Sequence, residues 1–219
     1  MVQGVIFDLD GTLLDTLRDL AGAGNHALAA MGLPDHAAEA YRRMVGNGIP
    51  KLVERMLPAQ HRGPATQALA LGLFLRYYDA HKLDHTAPYP GVPALLAGLQ
   101  KAGVRLGVVS NKDDAPARAM VETFFPGMFD AVRGRLDGTP PKPDPALVED
   151  VLAQWGLARG SVLYVGDSDV DIFTAHNARL AGCGVLWGFR EKEELAAAGA
   201  DFLAADVLEL ARVLGEYEG

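Results

Sequence analysis

The sequence predicts a doubly wound α/β domain on a mainly parallel sheet, with a small all-helical insertion. Three observations point there. From about residue 92 onward, short apolar, β-branched runs alternate with helical patterns. A run of the same kind opens the chain at 1–9, and between 16 and 85 almost nothing reads as strand. Apolar runs without polar alternation belong to strands covered on both faces, as in a parallel sheet.

In chain order, the first strand lies within 1–9. Helices at 17–31, 37–45, 50–57 and 64–83 follow, separated by Gly32-Leu33-Pro34, Gly46-Asn47-Gly48 and a Pro/Gly break at 58–63. Four helices in ~70 residues would bury only ~60% of their surface alone. The segment therefore reads as an insertion, which gives a core of 1–15 and 86–219 and a helical unit of 16–85. Further strands are predicted at 104–109, 161–165, 184–187 and 201–203, and helices at 113–125, 144–155, 169–181, 191–198 and 207–214. Asp113-Asp114-Ala115-Pro116 and Pro143-Asp144-Pro145 offer cap and first-turn residues for two of them.

Composition removes several classes of function. With 25 Gly and 13 Pro in 219 residues the chain falls below the threshold for low complexity. Its single cysteine, Cys183, cannot form an internal disulfide, which fits a reducing compartment. The net charge of −8 lacks the footprint of a nucleic-acid binder. No stretch approaches the ~20 apolar residues that cross a bilayer, and no basic leader precedes Val5-Ile6-Phe7. The expectation is a cytoplasmic protein, monomer or homodimer, with no nucleic-acid or membrane partner.

Open α/β sheets bind ligands beyond the carboxyl ends of their strands, so the residues after each strand carry the functional signal. The first strand ends in Asp8-Leu9-Asp10-Gly11-Thr12, the next in Ser110-Asn111-Lys112, and 161–165 in Gly166-Asp167-Ser168-Asp169-Val170-Asp171. Lys142 stands in Pro140-Pro141-Lys142-Pro143, ahead of a helix. Carboxylates crowded on one sheet edge repel one another unless a hard cation neutralises them, and oxygen ligands suit Mg²⁺. A carboxylate can attack phosphorus. Phosphoryl transfer mainly needs positioning and charge neutralisation, which Ser110 and Lys142 can supply. Asp8 and Asp10, two apart on extended chain, face one side, one to attack and one to handle the leaving-group proton.

In that order, Asp8-x-Asp10-Gly11-Thr12, Ser110-Asn111, Lys142 and Gly166-Asp167-x-x-x-Asp171 resemble the four motifs of the haloacid dehalogenase superfamily, and the resemblance spans essentially the whole chain. The stretches 8–16 (DLDGTLLDT), 44–52 (MVGNGIPKL), 142–146 (KPDPA), 166–174 (GDSDVDIFT) and 184–195 (GVLWGFREKEEL) are similar to the phosphoglycolate phosphatase group. The resemblance implies a Rossmann-like core with a four-helix cap. It also implies a Mg²⁺-dependent phosphatase acting on a small phosphate ester, 2-phosphoglycolate first, through an aspartyl phosphate. Asp8 would be nucleophile and metal ligand. Asp10 would be the general acid/base, lending its carbonyl to the metal, and Asp167 the third ligand. Asp171 would orient water on the metal or Lys142. Gly11, Thr12, Ser110, Asn111 and Lys142 would hold the phosphoryl group. A pyrophosphatase, a sugar-phosphate phosphatase and a β-phosphoglucomutase-like transferase are rivals within the class. Uncharged Ile49 after the Gly-Asn-Gly break disfavours the mutase. Asp10 with Asp167 argues against a metal-free dehalogenase, and the filled motif positions argue against a non-catalytic module.

Other features read as structural. Asp169 is an exposed first-turn acid, while Asp167 doubles as a helix cap. The six histidines form no ligand pattern, His176 among them. Met120, Met128, Phe124, Phe125 and Phe129 are core filler, Trp187 has no assigned role, and 190–194 is a solvated helix start. In the helical unit Arg42, Arg43, Lys51 and Arg55 surround the Gly-Asn-Gly break. Asn47 and Lys51 are the residues expected to set substrate choice there.

Overall fold

A computed structural model describes residues 2–217. The chain divides into two compact units, Met1–Leu14 with Pro88–Gly219, and Asp15–Ala87.

The first unit is built on six strands in the order β5-β4-β1-β6-β7-β8. They are β1 (Gly4–Phe7), β4 (Arg105–Asp113), β5 (Ala131–Arg135), β6 (Val162–Gly166), β7 (Ala181–Val185) and β8 (Phe202–Ala204), and each neighbouring pair is parallel. Two further short strands, β2 (Leu14–Asp15) and β3 (Ala87–Pro88), pair as a ribbon where the chain passes from one unit to the other. The helices of the first unit are α4 (Val92–Lys101), α5 (Asp114–Phe124), α6 (Ala146–Trp155), α7 (Asp169–Asn177), α8 (Lys192–Ala197) and α9 (Val207–Glu216).

Alternation along the strands feeds two cores. Val5, Phe7, Leu106, Val108, Leu163 and Val165 share one core with residues of α4, α5 and α9. Ile6, Val109 and Tyr164 share the other with Leu147, Val148, Val151 and Trp155 of α6. Each large apolar side chain buried this way contributes about 1.5–3 kcal/mol. The strand order reverses around β1, so the carboxyl ends of β1, β4 and β6 frame the crevice where such sheets bind ligands.

Several expected boundaries move. The strand placed at 184–187 is β7 at Ala181–Val185, and the helix expected to reach 181 stops at Asn177. Ala181-Gly182-Cys183-Gly184 carries little β-propensity of its own, and the sheet supplies what the sequence lacks. The edge strand β5 and helix α4 escape the sequence reading. Arg133, Gly134 and Arg135 break the apolar run of β5, which the sheet needs to cover on one side only. Asp167 does not cap α7. Ser168 does, in a capping box with Asp171.

The second unit holds α1 (Leu17–Ala30), α2 (Ile49–Met56) and α3 (Pro64–His81). The helix expected at 37–45 is instead a six-residue 3-10 helix, Ala38–Arg43, so the unit has three α-helices rather than four. Fully buried Tyr41, whose hydroxyl donates to Asn25 Oδ1 at 2.8 Å, pins this segment just before Gly46 turns the chain at φ 120°. Buried Asp19 accepts from the backbone of His85 and Thr86 and from the Thr86 hydroxyl, which ties the start of α1 to the end of the unit.

At its carboxyl end β4 is irregular. Val109 pairs with Arg133 and Asp113 with Arg135, so four residues of β4 advance against two of β5. Such bulges bend a strand and re-aim its side chains. This one depends on Gly134, where a Cβ would lie 2.5 Å from Asp114 Cα and 2.7 Å from the Lys112 carbonyl oxygen. Both neighbours are backbone and cannot turn aside. Gly134→Ala is therefore expected to cost about 1–3 kcal/mol, the usual range for overpacking. Urea unfolding checks this, and a variant within 0.5 kcal/mol of the wild type, roughly the range of a neutral surface change, contradicts it.

Candidate active site

Asp8 and Asp10 extend from the end of β1, Ser110, Asn111 and Lys112 from the bulge of β4, Asp167 from the segment joining β6 to α7, and Asp171 from the first turn of α7. Lys142 reaches them from the loop before α6, where its bond to Pro143 is cis. Its buried Nζ lies 2.9 Å from Asp8 Oδ1 and 2.7 Å from Asp171 Oδ1, and donates also to the Val109 carbonyl and the Tyr164 hydroxyl, each at 3.2 Å. Asn111 fixes the loop that carries it. Asn111 Oδ1 accepts from Lys142 N–H at 2.8 Å and Nδ2 donates to the Lys142 carbonyl at 3.3 Å.

Each carboxylate is held differently. Leu9 N–H and Lys142 Nζ both engage Oδ1 of Asp8, and among the described residues Oδ2 accepts no hydrogen bond. Asp171 accepts on both oxygens, from Lys142 and Tyr164 on Oδ1 and from Ser168 N–H and Oγ on Oδ2. Asp167 accepts from the Thr12 hydroxyl at 3.1 Å and from Phe189 N–H at 2.7 Å, one partner for each oxygen. Asp10 faces Lys112, whose Nζ lies 3.1 Å from both carboxylate oxygens. Ser110 Oγ accepts from Lys112 N–H.

Burial raises Asp8 to about 7, with Lys142 opposing and Asp171 and Asp10 adding to the shift. Burial likewise raises Asp167 to about 8, helped by Asp171 and Asp8. For Lys142 burial alone would lower the value, but Asp171 and Asp8 together outweigh it and hold the ammonium well above its ordinary range. Tyr164 is pushed far up by burial, and stays a phenol. Oxygens of Asp8, Asp167 and Asp171 lie within 4.8 Å of one another. This donor set, all oxygen and short of positive charge, fits a hard divalent cation. Asp8 and Asp167 have accepting capacity left for one, whereas both oxygens of Asp171 are committed to Ser168, Tyr164 and Lys142.

Asp8, Asp10, Ser110, Asn111, Lys142, Asp167 and Asp171 thus meet on one sheet edge. Gly11 and Thr12 lie in the turn that follows β1. Gly11 N–H bonds the Leu14 carbonyl and the Thr12 hydroxyl donates to Asp167. Gly11, at φ 93°, also lets the chain pass where a Cβ would stand 2.4 Å from Asp167 Oδ2. In the helical unit Lys51 is exposed and paired with Glu54 at 2.7 Å, and Asn47 Oδ1 accepts from Arg55 at 2.7 Å.

The sequence does not announce the part played by five groups. Lys112 had a signal, since it shares a strand side with Ser110. Tyr164 and Phe189 N–H had none, because their partners are remote in sequence. Trp187 donates to the Thr12 carbonyl at 3.0 Å and braces the same turn. Arg190, read as solvated, is instead buried, with Nε 3.9 Å from Asp169 and 3.7 Å from Glu194.

The sequence model of the haloacid dehalogenase-like hydrolases matches residues 5–185. The phosphoglycolate phosphatase of Rhodospirillum rubrum is 37% identical over 98% of this chain and 92% of its own length. That of Vibrio cholerae is 35% identical over 97% of each. A crystal structure of a candidate phosphoglycolate phosphatase from Lactobacillus delbrueckii superposes with a TM-score of 0.92 at 31% identity, covering 97% of this chain and 98% of that one.

An acid whose native value is raised holds its proton in the folded state after the unfolded chain has lost it, so stability falls as pH climbs through that window. For Asp8 the window runs from the ordinary value of 3.8 up to about 7. Asp8→Asn, uncharged throughout, is expected to gain on the wild type between pH 5 and 8 in chelator. The gain is on the order of a few kcal/mol, at about 1.4 kcal/mol per unit of displacement. Urea unfolding at the two pH values checks it, and a difference independent of pH rejects the assignment.

Proposed function

We propose a function for this chain from one premise: it belongs to the haloacid dehalogenase-like hydrolases. It is a phosphoric monoester hydrolase. We read its substrate as a small phosphorylated metabolite, 2-phosphoglycolate first, as in the Rhodospirillum and Vibrio relatives. The observation that carries the chemistry is the pairing at Asp8, whose Oδ1 is held by Lys142 and Leu9 N–H while Oδ2 takes no hydrogen bond among the described residues. A carboxylate fixed by one oxygen and open at the other is arranged to attack.

In the proposed reaction Asp8 attacks phosphorus, the bond from phosphorus to the ester oxygen breaks, and Asp10 gives its proton to the departing alkoxide. Water then attacks the phosphorus of the aspartyl phosphate and gives a proton to Asp10. Phosphate leaves, and Asp8 is restored as a carboxylate. Lys142 and the Ser110 hydroxyl balance the charge on the transferring oxygens. Asp171 holds Lys142 and takes no part in bond making. Mg²⁺ would be held by Asp8, Asp167 and the Asp10 carbonyl, and would supply charge neutralisation to the carboxylates and the phosphoryl group. We read the helical unit as the family's cap and assign leaving-group choice to it.

The test is phosphate release, scored as kcat/KM, for 2-phosphoglycolate, β-glucose 1-phosphate, pyrophosphate, a nucleoside monophosphate and p-nitrophenyl phosphate, each with and without chelator. Chelator-sensitive turnover preferring 2-phosphoglycolate at least ~100-fold, or ~2.7 kcal/mol in the barrier, is expected. Chelator-resistant turnover contradicts the metal assignment, and a preference for another ester contradicts the substrate.

A further inference from the structure

Asp10 has to deliver a proton to one oxygen and take one from a water, so its carboxylate must be aimed. Its own chain does little to aim it. Asp10 stands where β1 gives way to a turn, and its side chain is partly exposed. The group that meets it is Lys112, 102 residues away, whose Nζ lies 3.1 Å from Oδ1 and 3.1 Å from Oδ2. Contact with both oxygens at equal distance fixes the rotation of the carboxylate about its Cβ–Cγ bond, which a one-point contact would leave free.

Lys112 is itself placed by local construction. Its side chain is only 4% exposed. It rises from the irregular stretch of β4 where four residues advance against two of β5. Its N–H donates to Ser110 Oγ, and its carbonyl lies against Gly134, where no Cβ could stand. The bulge sets the hydroxyl of Ser110 and the ammonium of Lys112 in one piece of backbone.

We propose that Lys112 is a positioning residue, which orients the Asp10 carboxylate toward the oxygen of the leaving group. This rests on the reading of Asp10 as the general acid. Misplacement of a reacting group by about 1 Å can cost ~10²-fold, so loss of Lys112 should reproduce in part the loss of Asp10.

The experiment uses two esters and a double-mutant cycle. An alkyl phosphate such as 2-phosphoglycolate expels a strongly basic alkoxide that needs the proton, whereas p-nitrophenyl phosphate expels an anion stable without it. The value of kcat/KM covers steps up to release of that group and excludes hydrolysis of the phosphoenzyme. Lys112→Met is expected to lower kcat/KM for 2-phosphoglycolate by about tenfold to 10²-fold and for p-nitrophenyl phosphate by less than about threefold, within the range of general acid catalysis. In an Asp10→Asn background the same change should have no further effect. Lys112→Gln keeps an N–H donor and should fall between, with the same bias. It also serves if the methionine variant does not fold.

Equal loss on both esters, or a loss that multiplies in the Asp10→Asn background, means that Lys112 acts on the substrate itself and overturns the proposal. If Asp10→Asn separates the esters and neither Lys112 variant does, the proposal alone falls. If Asp10→Asn fails to separate them, the assignment of Asp10 falls and takes the proposal with it.

Discussion

One buried ammonium organises the site. Lys142 stands between Asp8 and Asp171, and the walls around it are apolar strands. Desolvating an ion costs several kcal/mol, and only close, well-bonded partners recover it. Most of the neighbouring construction serves that balance. Asn111 grips the backbone of Lys142 at both its N–H and its carbonyl, the Tyr164 hydroxyl accepts from the ammonium, and the capping box of α7 fixes Asp171 by its second oxygen. The capping box therefore has two uses, starting a helix and holding a carboxylate for a lysine elsewhere in the fold.

The remaining charge is unbalanced. Burial pushes Asp8 and Asp167 up to about 7 and about 8, and neighbouring carboxylates that one ammonium does not fully neutralise add to the rise. A protein selected for stability alone would replace such a cluster with apolar residues. Keeping it raises the cost of the native state near neutral pH and creates a place where added positive charge is taken up strongly. The phosphoryl chemistry proposed for Asp8 draws on the same imbalance.

The sheet edge was legible in the sequence because its signals are local. Asp8 and Asp10 follow one apolar run, Ser110 a second and Asp167 a third, and strand ends in open sheets converge on one crevice. What escaped depends on contacts distant in sequence. Lys112 finds Asp10 across 102 positions and Phe189 finds Asp167 across 22, and no spacing rule connects them. The Thr12 hydroxyl likewise reaches Asp167 across 155 positions. β7 was misplaced because Gly182 and Gly184 owe their strand conformation to pairing with β6 and β8 rather than to propensity. Tyr41 shows the same in the helical unit, where a buried phenol holds a 3-10 segment that the apolar spacing had suggested was an α-helix.

The central claim is that Asp8 becomes covalently phosphorylated. It is tested most directly by rapid quench of the enzyme turning over 2-phosphoglycolate, followed by borohydride reduction and peptide mass spectrometry. An acyl phosphate is reduced to the alcohol, so homoserine at position 8, appearing only with substrate, is the predicted result. Homoserine at position 10 or 167, or turnover with no reduced carboxylate at any time point, would contradict the account.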